Sequence, residues 1–196
     1  LTVLDGFLYA WNGAQLYRYN TNATLPITHV ETGNGAHRVH SARVSATSVN
    51  YADICSTDNS VVYFRSSTAG DTQVFEYKLD PQTNKMAPRD FWKLPMGFVG
   101  QKMCFSNGVI YIVGEYSDRI ALFGYSMNTR QPLFLGYVWD QYQASNTIVT
   151  AMAPSYGAQI LFNIASGQFN YVFVYDAEED AFSQLDERAG TDLTPD

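Results

Sequence analysis

The chain is short of cysteine, of positive charge and of long apolar runs, and each shortage removes a class of protein. Two cysteines, Cys55 and Cys104, are too few for a disulfide framework, and neither sits in a CxxC zinc pattern. Lys and Arg number 12 against 19 Asp and Glu, a net charge of −7. That balance lacks the basic footprint needed to grip phosphates, so no sequence-specific nucleic-acid binding is expected. A polybasic membrane tether is missing too. No apolar run approaches the ~18 residues of a membrane-spanning helix. Three histidines are present, and His37 and His40 stand three apart, but no HExxH and no cysteine or carboxylate cluster completes a metal site. There is no G-x-S-x-G, no P-loop and no G-x-G-x-x-G after a strand, so neither a catalytic nucleophile nor a cofactor is expected. A sustained 3.6-residue apolar period is also missing, which leaves little room for helices.

What the 196 residues do contain is apolar and aromatic: 46% hydrophobic, 15% aromatic, with 14 Tyr and 12 Phe. Aromatic and β-branched residues suit a pleated, half-buried surface. One short pattern is written four times. "LYRYNTNAT", "VFEYKLDPQTNK", "LFGYSMNTRQP" and "VFVYDAEED" each run from an apolar strand through a tyrosine into turn residues. The tyrosines are Tyr19, Tyr77, Tyr125 and Tyr175, spaced 58, 48 and 50 apart. Asn and Asp bond their own backbone in such turns, and Pro presets φ. Upstream of each tyrosine lies a second strand: "GFLYAW", "SVVYFR", "GVIYIV" and "QILFNI". Asp5-Gly6 and Asn107-Gly108 favour tight hairpins. Further upstream, "YADIC", "GQKMC" and "VTAMA" set Ile54, Met103 and Met152 49 residues apart, with Cys55, Cys104 and Ala153 in the same register. A fourth strand follows each tyrosine turn: "ITHVE", "DFWKL", "FLGYVW" and "FSQLD".

A meander of four strands cannot bury both of its faces, but repetition lets neighbouring sheets cover one another. The expectation is an all-β, β-propeller-like domain over residues 1–196, with about four four-stranded antiparallel meander blades of roughly 50 residues. The approximate blades are 1–35, 36–96, 97–145 and 146–190. They either close as four or form an arc of a larger propeller. A β-sandwich is the alternative, though it does not require aligned tyrosines. The stretch "GAHRVHSARVSA", residues 35–46, is read as loop and strand between the first two blades rather than as a short helix. Leu1 falls inside a repeat, so the chain is expected to be a fragment of a longer protein. Cys55 and Cys104 take equivalent first-strand positions and are expected to be small buried thiols.

Candidate sites are sparse. Glycoside hydrolysis needs converging carboxylates, and Asp53, Asp58, Asp118 and Asp140 are the acids placed near blade rims. "STDNSVVYF" departs from the S-x-D-x-G-x-x-W box of sialidases at Ser60 and Tyr63, and that box is structural in any case. "NAT" at Asn22 is a glycosylation sequon. Trp139-Asp140 is a lone WD dipeptide. The acids from Asp176 to Asp196 read as a solvated surface. Trp11, Trp92 and Trp139 fit the core better than a surface. Tyr116, Tyr142 and Tyr156 sit in turn-rich stretches and are the possible partner-contact aromatics.

Three segments together carry a resemblance: "GFVGQKMCFSNGVIYIVG" (97–114), "RIALFGYSMNTRQP" (119–132), and "GAQILFNIASGQFNYVFVYDAEEDAFSQLDER" (157–188), with its Tyr175-Asp176 turn followed by Phe182. This succession resembles the propeller domain of phage tail hub or nozzle proteins, the packaged-DNA stabilisation family. The resemblance implies a non-enzymatic virion component assembled in the host cytoplasm. Such a protein acts as a head-to-tail connector, contacts other virion proteins, forms a homo-oligomeric ring and contributes to the DNA-ejection channel. It implies no catalytic residues. An acidic conduit would repel phosphate, in keeping with passage of DNA rather than retention. Two other readings remain open: a secreted or surface propeller that binds glycan or protein, and a propeller-type hydrolase or lyase.

Overall fold

The computed structural model describes residues 1–20, 36–41, 49–67, 70–80, 82, 85–138 and 147–189. It holds sixteen strands, and no helix occurs among the described residues. The strands form four separate antiparallel sheets, each a simple up-and-down meander in chain order. Blade 1 is β1 (Thr2–Leu4), β2 (Phe7–Trp11), β3 (Gln15–Asn20) and β4 (Ala36–Ser41). Blade 2 is β5 (Val49–Ser56), β6 (Ser60–Ser67), β7 (Thr72–Asp80) and β8 (Lys85–Lys93). Blade 3 is β9 (Val99–Ser106), β10 (Val109–Tyr116), β11 (Arg119–Ser126) and β12 (Gln131–Tyr137). Blade 4 is β13 (Thr147–Pro154), β14 (Gln159–Ser166), β15 (Phe169–Asp176) and β16 (Ala181–Ala189). The chain divides into two compact units, Leu1–Met96 and Gly97–Asp196, each holding two blades.

The hairpins form where turn chemistry allows. Asp5 and Gly6, and likewise Asn107 and Gly108, take positive φ at both turn positions, as a two-residue hairpin demands. Ser117 and Asp118 do the same without a glycine. The four tyrosines occupy one equivalent ladder position. Tyr19 pairs with Leu8, Tyr77 with Val61, Tyr125 with Ile110 and Tyr175 with Ile160. The 49-residue register of the first strands is real in the same frame. Ile54 pairs with Tyr63, Met103 with Ile112 and Met152 with Phe162, in a single row of their sheets.

Several sequence boundaries move. Residues 36–41 are β4, the outer strand of blade 1, so this blade runs past residue 35. "ITHVE", expected in that role, lies outside the described residues. Blade 1 also has a short first strand, β1, which lacks the apolar five-residue pattern of its counterparts. The recurring aromatic of the second strands is one residue out of register. Tyr63 and Phe162 share a row, whereas Tyr111 pairs with Cys104 in the adjacent row and its side chain falls on the other face. Both faces tolerate it, because Val61 through Phe64 and Ile110 through Val113 are buried without alternation. In β14 the pattern alternates, with Ile160, Phe162 and Ile164 buried and the residues between them half-buried.

Within each unit the core lies between the two blades. In the first unit, Leu4, Tyr9 and Leu16 of blade 1 pack with Ile54, Val61, Tyr63 and Tyr77 of blade 2. The Trp11 indole donates to the Phe64 carbonyl at 2.6 Å across that seam. In the second unit, Tyr111, Val113, Ile120 and Leu122 meet Val149, Ile160, Phe162, Ile164, Phe173 and Tyr175. Burying each such side chain fully is worth about 1.5–3 kcal/mol. Buried Gln101 on β9 accepts the Val149 N–H of β13 at 2.7 Å, which ties the first strands of the two blades together. Cys55 and Cys104 are buried thiols in no disulfide, paired with Val62 and Tyr111 in one shared row, as their register implies.

Candidate functional site

The outer edge of blade 3 gathers more exposed aromatic surface than the sequence suggested. The floor is set by strand alternation: Phe123 on β11 and Phe98 just before β9 are buried, with ring centroids 4.6 Å apart. Phe134, opposite Phe123 on β12, leans on it at 5.1 Å and is 52% exposed. Tyr137 meets Phe134 edge-on at 5.2 Å. Tyr116, the last residue of β10, stands edge-on to Phe123 at 5.6 Å and lies nearly parallel to Tyr137 at 6.5 Å. The Arg119 guanidinium sits 4.9 Å over the Tyr137 ring, a cation–π contact. Neither tyrosine hydroxyl has a hydrogen-bond partner among the described residues.

The repeat places a second phenylalanine in the same ladder position of blade 2. Phe91 pairs with Phe75 as Phe134 pairs with Phe123; it too lies at 5.1 Å from its neighbour's centroid and is 51% exposed. Blades 1 and 4 carry Arg38 and Gln184 there. Sequence reasoning missed Phe91 and Phe134 because the third and fourth strands of blade 2 pair further into their hairpin than those of blade 3 and its bulge is displaced, which hides their equivalence.

The sequence-derived candidates separate. Tyr116 belongs to the blade 3 cluster, with its ring half-buried rather than standing clear on a turn. Tyr156, in the first hairpin of blade 4, is 95% exposed. Tyr142, Trp139 and Asp140 lie outside the described residues, as do His29 and Asn22. Trp11 is a packing residue, 4.6 Å from Tyr63. His37 and His40 are on strand β4. Among the described residues no three His, Cys, Asp or Glu side chains gather as a metal site would require. Of the rim acids, the Asp53 carboxylate accepts the Ile54 N–H within β5. Asp58 is in the first hairpin turn of blade 2 and Asp118 in the second hairpin turn of blade 3, so these two sit at different ends of their own sheets.

The Tyr175-Asp176 turn of blade 4 is a built structural device. Asp176 Oδ1 accepts the N–H groups of Glu178 and Glu179, and its Oδ2 accepts from the Gln159 amide at 3.0 Å. Those donors, the Gln159 amide first, hold the Asp176 carboxyl below the usual carboxylate range. The Tyr175 hydroxyl donates to Asp180 at 2.7 Å. Burial, reinforced by Asp180, keeps that phenol protonated well above the usual tyrosine range.

Sheets of this kind recur in solved propellers. The chain superposes on a protein from Lactobacillus plantarum with a TM-score of 0.62 at 15% identity, over 94% of this chain and 54% of that one. It matches the Dos1 propeller with a TM-score of 0.56 at 10% identity, over 93% and 44%. It matches an oligogalacturonate lyase in complex with manganese, also at 0.56, with 9% identity over 94% and 51%. The fold is therefore of the β-propeller type, built from four four-stranded blades. The chain spans about half the length of these structures. No protein-family profile matches the sequence, and no curated protein matches it either.

Proposed function

We propose that the chain is a non-catalytic protein-interaction module that holds its partner at the outer edge of blade 3. One observation carries this reading: Phe134, half-exposed on a buried aromatic floor and flanked by Tyr116, Tyr137 and Arg119. Tyr and Arg anchors beside an apolar knob are the composition of interface hot spots. A rigid sheet edge also spares most of the ordering cost of association. Pro132 opposite Tyr125 cannot donate to a further strand, which favours side-chain docking over strand addition. The resemblance of residues 97–188 to phage tail hub proteins gives the reading a specific form, a connector component that contacts other virion proteins and copies of itself.

The test is a photo-crosslinking phenylalanine at position 134, with Ser183 on the exposed edge of blade 4 as the control position. In the cells that make the protein, position 134 should yield discrete adducts, which Tyr137→Ser with Arg119→Ser abolishes. An adduct pattern identical to that from position 183 refutes the proposal. Mass measurement in solution separates the connector form, which requires an oligomer, from a monomeric adaptor.

A further inference from the structure

Within each unit the two blades meet by one rule. The later blade presents the face that carries its repeat tyrosine, and the earlier blade presents the face opposite its own. In the first unit Tyr77 of blade 2 packs with Tyr9 and Leu16 of blade 1. Tyr19 pairs with Leu8, the neighbour of Tyr9, so it stands on the other face of blade 1. In the second unit Tyr175 of blade 4 lies 6.1 Å from Tyr111 of blade 3. Tyr125 pairs with Ile110, the neighbour of Tyr111, and again stands on the other face. Two faces of this repeat fall outside those seams. The tyrosine face of blade 1 carries Val3, Leu8, Ala10, Tyr17 and Tyr19. Val3 is 56% exposed and the other four are half-buried. Tyr77, Tyr125 and Tyr175 are buried by contrast, as are Val61, Ile110 and Ile160 at the position of Leu8. On blade 4, the face opposite Tyr175 carries Ile148, Ala151, Ala153, Leu161, Val172 and Val174. Ile148 is 49% exposed, Ala151 and Ala153 are exposed, and Leu161 and Val172 are half-buried. Blades 2 and 3 carry Val62 and Tyr111 at the position of Leu161, and Val74 and Leu122 at that of Val172, all four buried.

The two open faces are the two halves of one kind of seam. None of the residues just named on them is charged. Asn163, between Leu161 and Ala165 on the blade 4 face, is satisfied within its own sheet, its amide donating to the Thr150 hydroxyl at 2.6 Å. Contiguous apolar surface left open in this way marks an interaction site. The repeat specifies the cover. A face such as that of blade 4 takes a tyrosine face in the second unit, where the matching face of blade 3 meets Tyr175. The tyrosine face of blade 1 needs the converse, and one chain carries one of each. We infer that two copies of this chain pair reciprocally, the open face of blade 4 in each covering the tyrosine face of blade 1 in the other. The contact joins unlike surfaces, and making it twice between two copies covers all four faces. Two copies also supply the length of the solved propellers, of which one chain matches 54% and 51%. The pairing uses none of the residues of the blade 3 patch and does not depend on the role proposed for it.

The experiment is sedimentation equilibrium of the purified chain over a range of concentrations, which should show a species of twice the chain mass. Val3→Asp and Ile148→Asp place a charge on the blade 1 and blade 4 faces, both at exposed positions and both checked for an unchanged circular dichroism spectrum. Each should weaken self-association about tenfold or more, because a buried charge without a partner is costly. An equimolar mixture of the two variants keeps one seam intact, blade 4 of the first on blade 1 of the second. It should therefore associate more tightly than either variant alone. Phe134→Ser should leave the mass unchanged, which separates this pairing from contacts made through the blade 3 patch. A monomer at every concentration overturns the inference, and so does an open-ended series of larger species. Weakening by only one of the two aspartate variants means that like faces meet, and it overturns the inference as well. A mixture no tighter than its components does the same.

Discussion

Gly114 permits a close approach of two strands that no other residue type could. It sits on β10 at a register shift and pairs with Gly100 of β9. A Cβ at this position would lie 2.1 Å from the Val99 carbonyl oxygen and 2.8 Å from Gly100 Cα, inside the 3.0 Å that real contacts respect. The atoms in the way are backbone, so no side-chain rotation relieves the clash, and β9 must retreat by close to an ångström. That loosens the pairs of Gly114 with Gly100 and of Glu115 with Val99. Each ladder hydrogen bond is worth about 1 kcal/mol net, and forced overpacking costs about 1–3 kcal/mol. Alanine regains about 0.4–1 kcal/mol by stiffening the unfolded chain. The net expectation for Gly114→Ala is a loss of about 2–4 kcal/mol, or a fall in Tm of about 5–15 °C for a chain of this size. Gly124→Ala is the control. Its Cβ would meet Leu135 Cδ1 and Val109 Cγ1 at 3.2 Å, and both are movable side chains. Its cost should stay within about 1 kcal/mol. Urea denaturation followed by near-ultraviolet circular dichroism compares the two. Equal midpoints for the variants, or a wild-type midpoint for Gly114→Ala, would show that the β9–β10 approach is not the constraint described.

Two further expectations concern pH. Burial raises the phenols of Tyr63, Tyr77, Tyr111 and Tyr175, so the fold holds them protonated. Their contribution is complete below the unfolded tyrosine value of about 10 and is lost as pH rises beyond it. Ultraviolet difference titration should show them ionising together with unfolding, and independent ionisation in a folded chain would contradict this. Asp176 has the opposite sign: its depressed carboxyl supports the turn above the ordinary carboxylate value, and that support fades as pH falls through the folded value. The Glu178 amide resonance should report a midpoint below the usual aspartate range. A midpoint at or above that range would mean the turn hydrogen bonds do not persist in solution.

The blade count, the meander order and the alignment of Tyr19, Tyr77, Tyr125 and Tyr175 were legible in sequence. They depend on local chemistry: turn residues at fixed offsets and apolar strands long enough to pair only with their neighbours. The first-strand register of Ile54, Met103 and Met152 was legible for the same reason. The outer strands were less so. An edge strand is half-solvated, so its composition is loosely constrained, and β4, read as a strand between blades, was not recognised as the outer strand of blade 1. The second-strand aromatics do not share one row, because inner strands buried on both faces impose no alternation.

The functional surfaces belong to tertiary structure. Tyr116 could be named as an exposed aromatic, but its neighbours Phe98, Phe123, Phe134 and Tyr137 come from three other segments of blade 3. Arg89 is the extra residue beside Glu76 because the bulge of blade 2 moved by two residues, and a bulge is decided by how strands meet. Repetition along the chain therefore determined the architecture by itself. Which side chains converge, and where the repeat departs from its own rule, was decided by how the strands pair and where each ladder takes its bulge.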